Sequence, residues 1–446
     1  MKGILILLQF LVFGLLAQAR PADDYTRLVQ PAVFSLSRVM MHDVVNPPAA
    51  SRYYAYCLLG AYQLVAQNNS TVPAPQLLIR HYPAPQQGGK TVAYRLAALF
   101  SILETGKLLL PSGYMLEQDI ADLVVKLQKR KVPQRDIDTA IAVAQRTAAH
   151  IVAFSKKDDY GKLSAKLRYT PLKEEGRWFP TPPTYMEAVE PHWKTVRPLV
   201  IDSCNQFAPQ PPTAYSKEPG SDFYRLAKEV YDLSKKATPE QLEIAAFWDC
   251  NPFAVATSGH LSLGFKKISP GGHWMNIAGI AAQKAGLDFD ATVLLQTSVA
   301  IALMDAFISC WDEKFRSSRI RPETFINKYI DVQWQPLLQT PPFPEYPSGH
   351  SVVSAASAEV LTYLLGDGFA YTDDSEIMFE LAPRKFRSFR QAAEEAAISR
   401  LYGGIHFRDA ITQGMVEGKA VGETVVARLK QAGIKPFQEG ARIVVK

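Results

Sequence analysis

The chain has 446 residues, 47% of them hydrophobic and 21% charged, with a formal net charge of +6 and a mean hydropathy of −0.07. That length supports a large buried core and more than one lobe. The positive excess is scattered, with no dense Lys/Arg block, which argues against nucleic acid as a partner and leaves room for a local site that takes a small anion.

In chain order, residues 1–19 read as a signal peptide. Lys2 supplies a positive start, an apolar run extends from Ile4 to Ala17, and Ala17-Gln18-Ala19 fits a small-x-small cleavage site. The run is short for a membrane span. The reading implies export, to the periplasm or the medium. No cysteine stands near the site, which argues against lipid attachment there.

Residues 20–168 read as an N-terminal helical segment. Apolar residues recur at helical spacing over Ala49–Gln67, Thr91–Leu110, Leu116–Lys129 and Arg135–Phe154. Residues 169–219 differ: they are rich in proline and aromatics, and predict an ordered connecting loop packed by Trp178, Phe179 and Trp193.

Residues 220–446 return to helical pattern over Phe223–Lys236 and Pro239–Trp248, the latter with Thr238 as N-cap and Pro239 at the first position. The run from Ala291 to Trp311 is apolar enough to span a membrane, but Gln296, Thr297, Ser298 and Asp305 interrupt it. A buried core helix accounts for it better. Strand signals are few. The expected class is all-α: a large helical bundle, with the site in its C-terminal part and a Pro/aromatic-rich loop region in the middle. Cys57, Cys204, Cys250 and Cys310 show no metal-ligand spacing, and one or two disulfides, unpaired by the sequence, are as compatible as buried thiols.

Three segments carry the chemistry: WDEKFRSSRIRPE from Trp311, PPFPEYPSGHS from Pro341, and SRLYGGIHFRD from Ser399. Lys314 and Arg321 lie seven apart, which puts them near one face of a helix that Pro322 would end. Ser348-Gly349-His350 stands where a helix begins, so backbone N–H groups and the positive dipole end face outward. Arg400 and His406 flank a Gly403-Gly404 break. Two guanidiniums, an ammonium, a hydroxyl, helix-end amides and two imidazoles together match a tetrahedral oxyanion.

The order K-x6-RP, PSGH and SR-x4-G-x-H resembles the superfamily shared by vanadium-dependent haloperoxidases and type 2 phosphatidic acid phosphatases. Trp311, three residues before Lys314, and Pro341-Pro342-Phe343-Pro344, before His350, are similar to the fungal chloroperoxidase. The longer run SCWDEKFRSSRIRPETFINKYID resembles bacterial haloperoxidases of marine flavobacteria, some of which prefer iodide, as do HDVVNPPAASRYYAY and FWDCNPF. Algal bromoperoxidases carry His where this chain has Phe343. The resemblance implies vanadate as cofactor, bound by Lys314, Arg321, Ser348, Gly349, His350 and Arg400, with His406 bonded to the metal. It also implies His350, Lys314 and His406 as catalytic groups, hydrogen peroxide and a halide (iodide or bromide) as substrates, and a small organic acceptor. Trp311, Phe343 and Ser348 would line the halide approach.

Around the site, Asp249 is a candidate to orient Arg400 or His406, and Asp409 to hold the other nitrogen of His406. His273 and Trp274 read as packing beneath the site; His42, His81, His150 and His192 as surface or packing residues. An acid phosphatase with a phospho-histidine intermediate shares the same pocket chemistry. A membrane-associated lipid-handling or binding protein is the reading from another class, against which the lack of a multi-span pattern stands.

Overall fold

The computed structural model describes residues 25–84, 93–258, 261–264 and 266–437. The signal-peptide reading lies outside these residues. The helices are, in chain order, α1 Thr26–His42, α2 Pro47–Asn68, α3 Pro75–Leu78, α4 Tyr94–Leu109, α5 Leu116–Lys129, α6 Gln134–Ser155, α7 Asp222–Lys235, α8 Pro239–Phe247, α9 Pro270–Lys284, α10 Phe289–Ser317, α11 Pro322–Tyr329, α12 Gly349–Leu365, α13 Phe389–Tyr402 and α14 Arg408–Gln431. Two antiparallel hairpins, β1 Val255–Ser258 with β2 Leu261–Gly264 and β3 Tyr371–Asp373 with β4 Arg384–Phe386, are the strands among the described residues. The all-α expectation holds.

Local chemistry sets many of the helix starts. Thr238 and Gln241 form a reciprocal capping box at α8, and Asn46, Ser269, Asp288, Ser348 and Ser388 each accept a backbone N–H with the side chain at the start of their helices.

One continuous apolar cluster runs from Leu28 to Ile434, drawing on both halves of the chain. At its centre lies α10, packed by α2, α9, α12 and α14. Among the described residues it is the helix long and apolar enough to cross a membrane, and its most apolar stretch is wholly buried in protein. It is a core helix.

The Pro/aromatic-rich region is ordered loop that grips this core. The backbone N–H groups of Leu199, Val200 and Ile201 donate to the buried Asp305 carboxylate on α10 at 2.7, 2.7 and 2.9 Å. Three donors compensate a charge that burial alone would make costly. Trp178 and Trp193 are buried, but Phe179 is 39% exposed, so it does not share the packing role expected of it. The four cysteines are all free thiols, and no disulfide forms among them.

The seat of α14 on α12 depends on glycine. Gly414, Gly418 and Gly422 stand four residues apart on one face of α14, and a Cβ on Gly418 would lie 2.0 Å from the backbone oxygen of Val352. The two helices touch through their backbones, and this contact holds the start of α12 in place. Gly418→Ala must push them apart, and a loss of at least about 1–3 kcal/mol is expected, by the usual cost of overpacking. Urea unfolding reads this; an unchanged midpoint would contradict so close a contact.

Candidate active site

Three chain breaks bring the site together. The first differs from the expectation of one helix carrying Lys314 and Arg321. The helix α10 ends at Ser317, and Ser318 takes the left-handed conformation (φ +47°). From there the chain runs extended beside the connecting loop: Trp178 donates to the Ser318 carbonyl at 2.8 Å and Ile320 to that of Gly176 at 2.9 Å. Arg321 is thus the residue before α11, and Pro322 opens that helix instead of ending α10. The break turns Arg321 inward.

The second element is the 341–350 segment, which enters α12 through its N-cap Ser348. The Ser348 hydroxyl accepts from Ser351 N at 3.4 Å and the residue is fully buried. Gly349 and His350 open the helix, where backbone amides have no intrahelical acceptor. In the third, α13 stops at Tyr402, Gly404 takes φ +76°, and His406 follows just before α14.

His406, 2% exposed, is held from two sides. Its Nδ1 lies 2.9 Å from Glu345 Oε1, and the same oxygen accepts from Phe407 N at 2.8 Å. Arg321 Nη1 can only donate and lies 3.1 Å from Nε2, so the Nε2 lone pair accepts and the imidazole proton stands on Nδ1. Burial, then Arg321, Lys314, Arg400 and His350, pull His406 well below its ordinary range, so the ring is neutral. A neutral imidazole with its Nε2 lone pair facing the cations is a ready metal ligand.

Asp409 is therefore not the partner of His406. It is the second residue of α14 and takes both guanidinium ends of Arg319, at 2.8 and 2.7 Å. Glu345 fills the role, and Arg319 in turn stands 3.3 Å from its second oxygen. Burial raises the Glu345 carboxyl to about 7, against the pull of Arg319. Sequence reasoning passed over Glu345, although it is the one acid in the PPFPEYPSGHS segment.

The cations surround this imidazole. Arg321 also donates from Nε to Phe343 O at 3.0 Å and from Nη1 to Ile405 O at 2.8 Å, while its Nη2 is buried without a partner. Arg400 donates from Nη1 to Trp248 O at 2.8 Å, and its Nε has no partner. Asp249 lies 3.9 Å from Arg400, away from His406, and its other oxygen pairs with Lys267. Lys314 donates to the carbonyl oxygens of Pro344, Glu345 and Pro347. All three ammonium protons are engaged, so a ligand oxygen would have to replace one of these carbonyls. Burial lowers Lys314 to about 8, which leaves it mostly charged at neutral pH. Burial, and after it Arg400, His273 and Lys314, push His350 well below its usual range, and its Nε2 is buried without a partner.

Gly349, His350, Arg400 and His406 line one pocket, whose other walls include Phe253, Phe307, Trp311, Phe343 and Ile405. Ser348, the buried N-cap of α12, is not among its lining residues, and neither are the buried Lys314 and Arg321. Trp311 and Phe343 are, with ring centres 5.0 Å apart. His273 is buried and stacks on Trp248, and Trp274 bonds to Ser354, so both lie behind the pocket wall. His42, His81 and His192 lie at the surface, and His150 packs against Tyr82.

Two buried guanidiniums with orphaned N–H groups, beside a buried ammonium, are costly unless an anion joins them. A Cβ on Gly349 would sit 3.6 Å from Trp311 and 3.9 Å from the Lys314 Cε, taking up space beside the ammonium. The donor set is short of acceptors and adds neutral imidazole nitrogens, which fits a tetrahedral oxyanion such as vanadate.

Comparison with known proteins agrees with the geometry. Residues 327–433 match the family model described as the VCPO second helical-bundle domain. A solved bacterial vanadium-dependent iodoperoxidase superposes with a TM-score of 0.83 at 44% identity, covering 91% of this chain and 96% of that one. The chain is a vanadium-dependent haloperoxidase. Holo- and apo-type bacterial vanadium-dependent chloroperoxidases share the haloperoxidase fold, with TM-scores of 0.70 and 0.66 at 15% and 14% identity. The first comparison covers 92% of this haloperoxidase and 98% of its relative, the second 87% and 95%. No curated protein sequence matches it.

Proposed function

We propose that this haloperoxidase holds vanadate beside His406 and oxidises iodide with hydrogen peroxide, taking bromide less well and chloride far less. The observation that carries the reading is the His406 imidazole, fixed by Glu345 and ringed by Arg321, Arg400 and Lys314, in a chain 44% identical to an iodoperoxidase. Bound vanadate would supply a Lewis acid that activates peroxide without changing its own oxidation state.

The residues supply the rest. Arg321 and Arg400 offer unpaired N–H groups to anionic oxygens, and α12 adds its first amides. His350, neutral and unpartnered at Nε2, accepts the proton that peroxide gives up. Lys314 keeps positive charge beside the reacting oxygens. The overall change balances as peroxide, iodide and a proton giving hypoiodous acid and water, and the oxidised iodine then passes to a small organic acceptor. Phe253, Phe307, Trp311 and Phe343 make the approach apolar, which suits a large, weakly hydrated halide: the smaller the ion, the more its desolvation costs. The N-terminal pattern supports an exported mature form.

The reading is tested on fractionated cells that make the full chain. Peroxide-dependent activity is expected in the periplasmic or extracellular fraction, with kcat/KM falling from iodide to bromide to chloride. A chloride constant equal to that of iodide contradicts the preference, and activity confined to membranes contradicts export.

A further inference from the structure

Behind the pocket wall lies a cluster that the oxidation chemistry does not use. Cys250 follows α8, His273 stands in the first turn of α9, and Glu376 follows the β3 strand. Their Sγ, Nδ1 and Oε1 atoms all lie within 4.8 Å of one another, and all three residues are buried. We propose that Cys250, His273 and Glu376 form a binding site for a zinc ion.

The distances suit the ion. Zinc bonds of about 2.0–2.3 Å at the tetrahedral angle place ligand atoms about 3.3–3.8 Å apart. His273 Nδ1 is 3.3 Å from Cys250 Sγ and 3.3 Å from Glu376 Oε1. A single ring N–H cannot serve both neighbours, and Glu376 Oε1 is buried with no hydrogen bond. One cation satisfies all three.

The imidazole is prepared for it from the far side. His273 Nε2 lies 2.8 Å from the buried Asp373 carboxylate, which itself accepts from Ser375 N at 3.0 Å and from Ser375 Oγ at 2.6 Å. A carboxylate holding the Nε2 proton leaves Nδ1 as the ligand atom, the arrangement that orients metal-bound histidines. Thiolate, imidazole and carboxylate are together a borderline-soft set that suits zinc above magnesium or calcium. A thiolate and a carboxylate also balance the two charges of the ion. Three protein ligands leave the fourth position to water. Cys250 lines the oxyanion pocket, which provides a way in.

The ion would tie α9 and the β3 hairpin to the turn at Trp248–Cys250. Trp248 O accepts from Arg400, so zinc here would stiffen the support of a guanidinium in the oxyanion site.

The test uses the vanadate-loaded full chain, equilibrated with zinc chloride, desalted and measured for zinc by mass spectrometry. About one zinc per chain is expected, with an unfolding midpoint a few degrees higher than without zinc. Cobalt(II) in its place should give a thiolate-to-cobalt charge-transfer band, lost in Cys250→Ser and weakened in His273→Asn, with folding checked by circular dichroism. Wild-type protein that retains no zinc and shows no such band overturns the proposal. So does a band that persists in Cys250→Ser, because the thiolate would then come from elsewhere.

Discussion

Replacing His406 with alanine is expected to abolish halide oxidation and vanadate retention together. The Nε2 lone pair faces the cations at the oxyanion space, and its orientation is fixed by Glu345 through Nδ1. The remaining cations attract any oxyanion but form no bond to its central atom. Loss of the ligand itself should therefore exceed the roughly 10- to 100-fold that losing a metal ligand's hydrogen-bond partner costs. The fold should survive, since the neutral ring follows a helix end and Arg321 Nη1 keeps the Ile405 carbonyl as an acceptor. Vanadium content after desalting, read beside activity, decides the matter. A variant that keeps both removes His406 from the ligand role.

The second large effect is expected at Glu345. Its Oε1 accepts from both His406 Nδ1 and Phe407 N, so Glu345→Ala releases the imidazole and leaves a buried amide unpaired. Vanadate affinity should fall by about 10- to 100-fold, with stability lowered by about 1–3 kcal/mol for the unsatisfied donor. Glu345→Gln, which keeps an acceptor oxygen for the same two donors, should recover part of the affinity. Equilibrium titration of the desalted protein with vanadate measures both variants. Equal affinities in Glu345→Ala and wild type would mean that the tautomer of His406 is set by something else.

How far the sequence reached depended on the kind of signal each residue left. Lys314, Arg321, His350, Arg400 and His406 were legible because each sits in a spaced motif that a proline or glycine punctuates. Glu345 was not: a lone glutamate in a proline-rich loop looks like any solvated acid until the fold buries it. Asp409 drew attention by being three residues after His406, yet α14 begins between them and carries Asp409 to Arg319. The α10 break was also silent, because Ser318 adopts the left-handed conformation without a glycine to announce it. Most helix bounds fell within two residues of expectation where the apolar periodicity was clear, and Leu116–Lys129 was met in full. By contrast α9 went unpredicted, since it is buried on nearly every face and shows no amphipathic period.

The central claim, that one oxyanion pocket built around His406 makes this chain a vanadate-dependent halide oxidase, is tested most directly by reconstitution. Desalted apo-protein is titrated with vanadate while peroxide-dependent iodide oxidation is followed, with and without millimolar phosphate, and hydrolysis of a phosphate ester is assayed in parallel. The predicted result is activity that rises to a plateau near one vanadate per chain and is suppressed competitively by phosphate. Oxidation that is independent of vanadate, or phosphatase activity in place of it, would contradict the assignment.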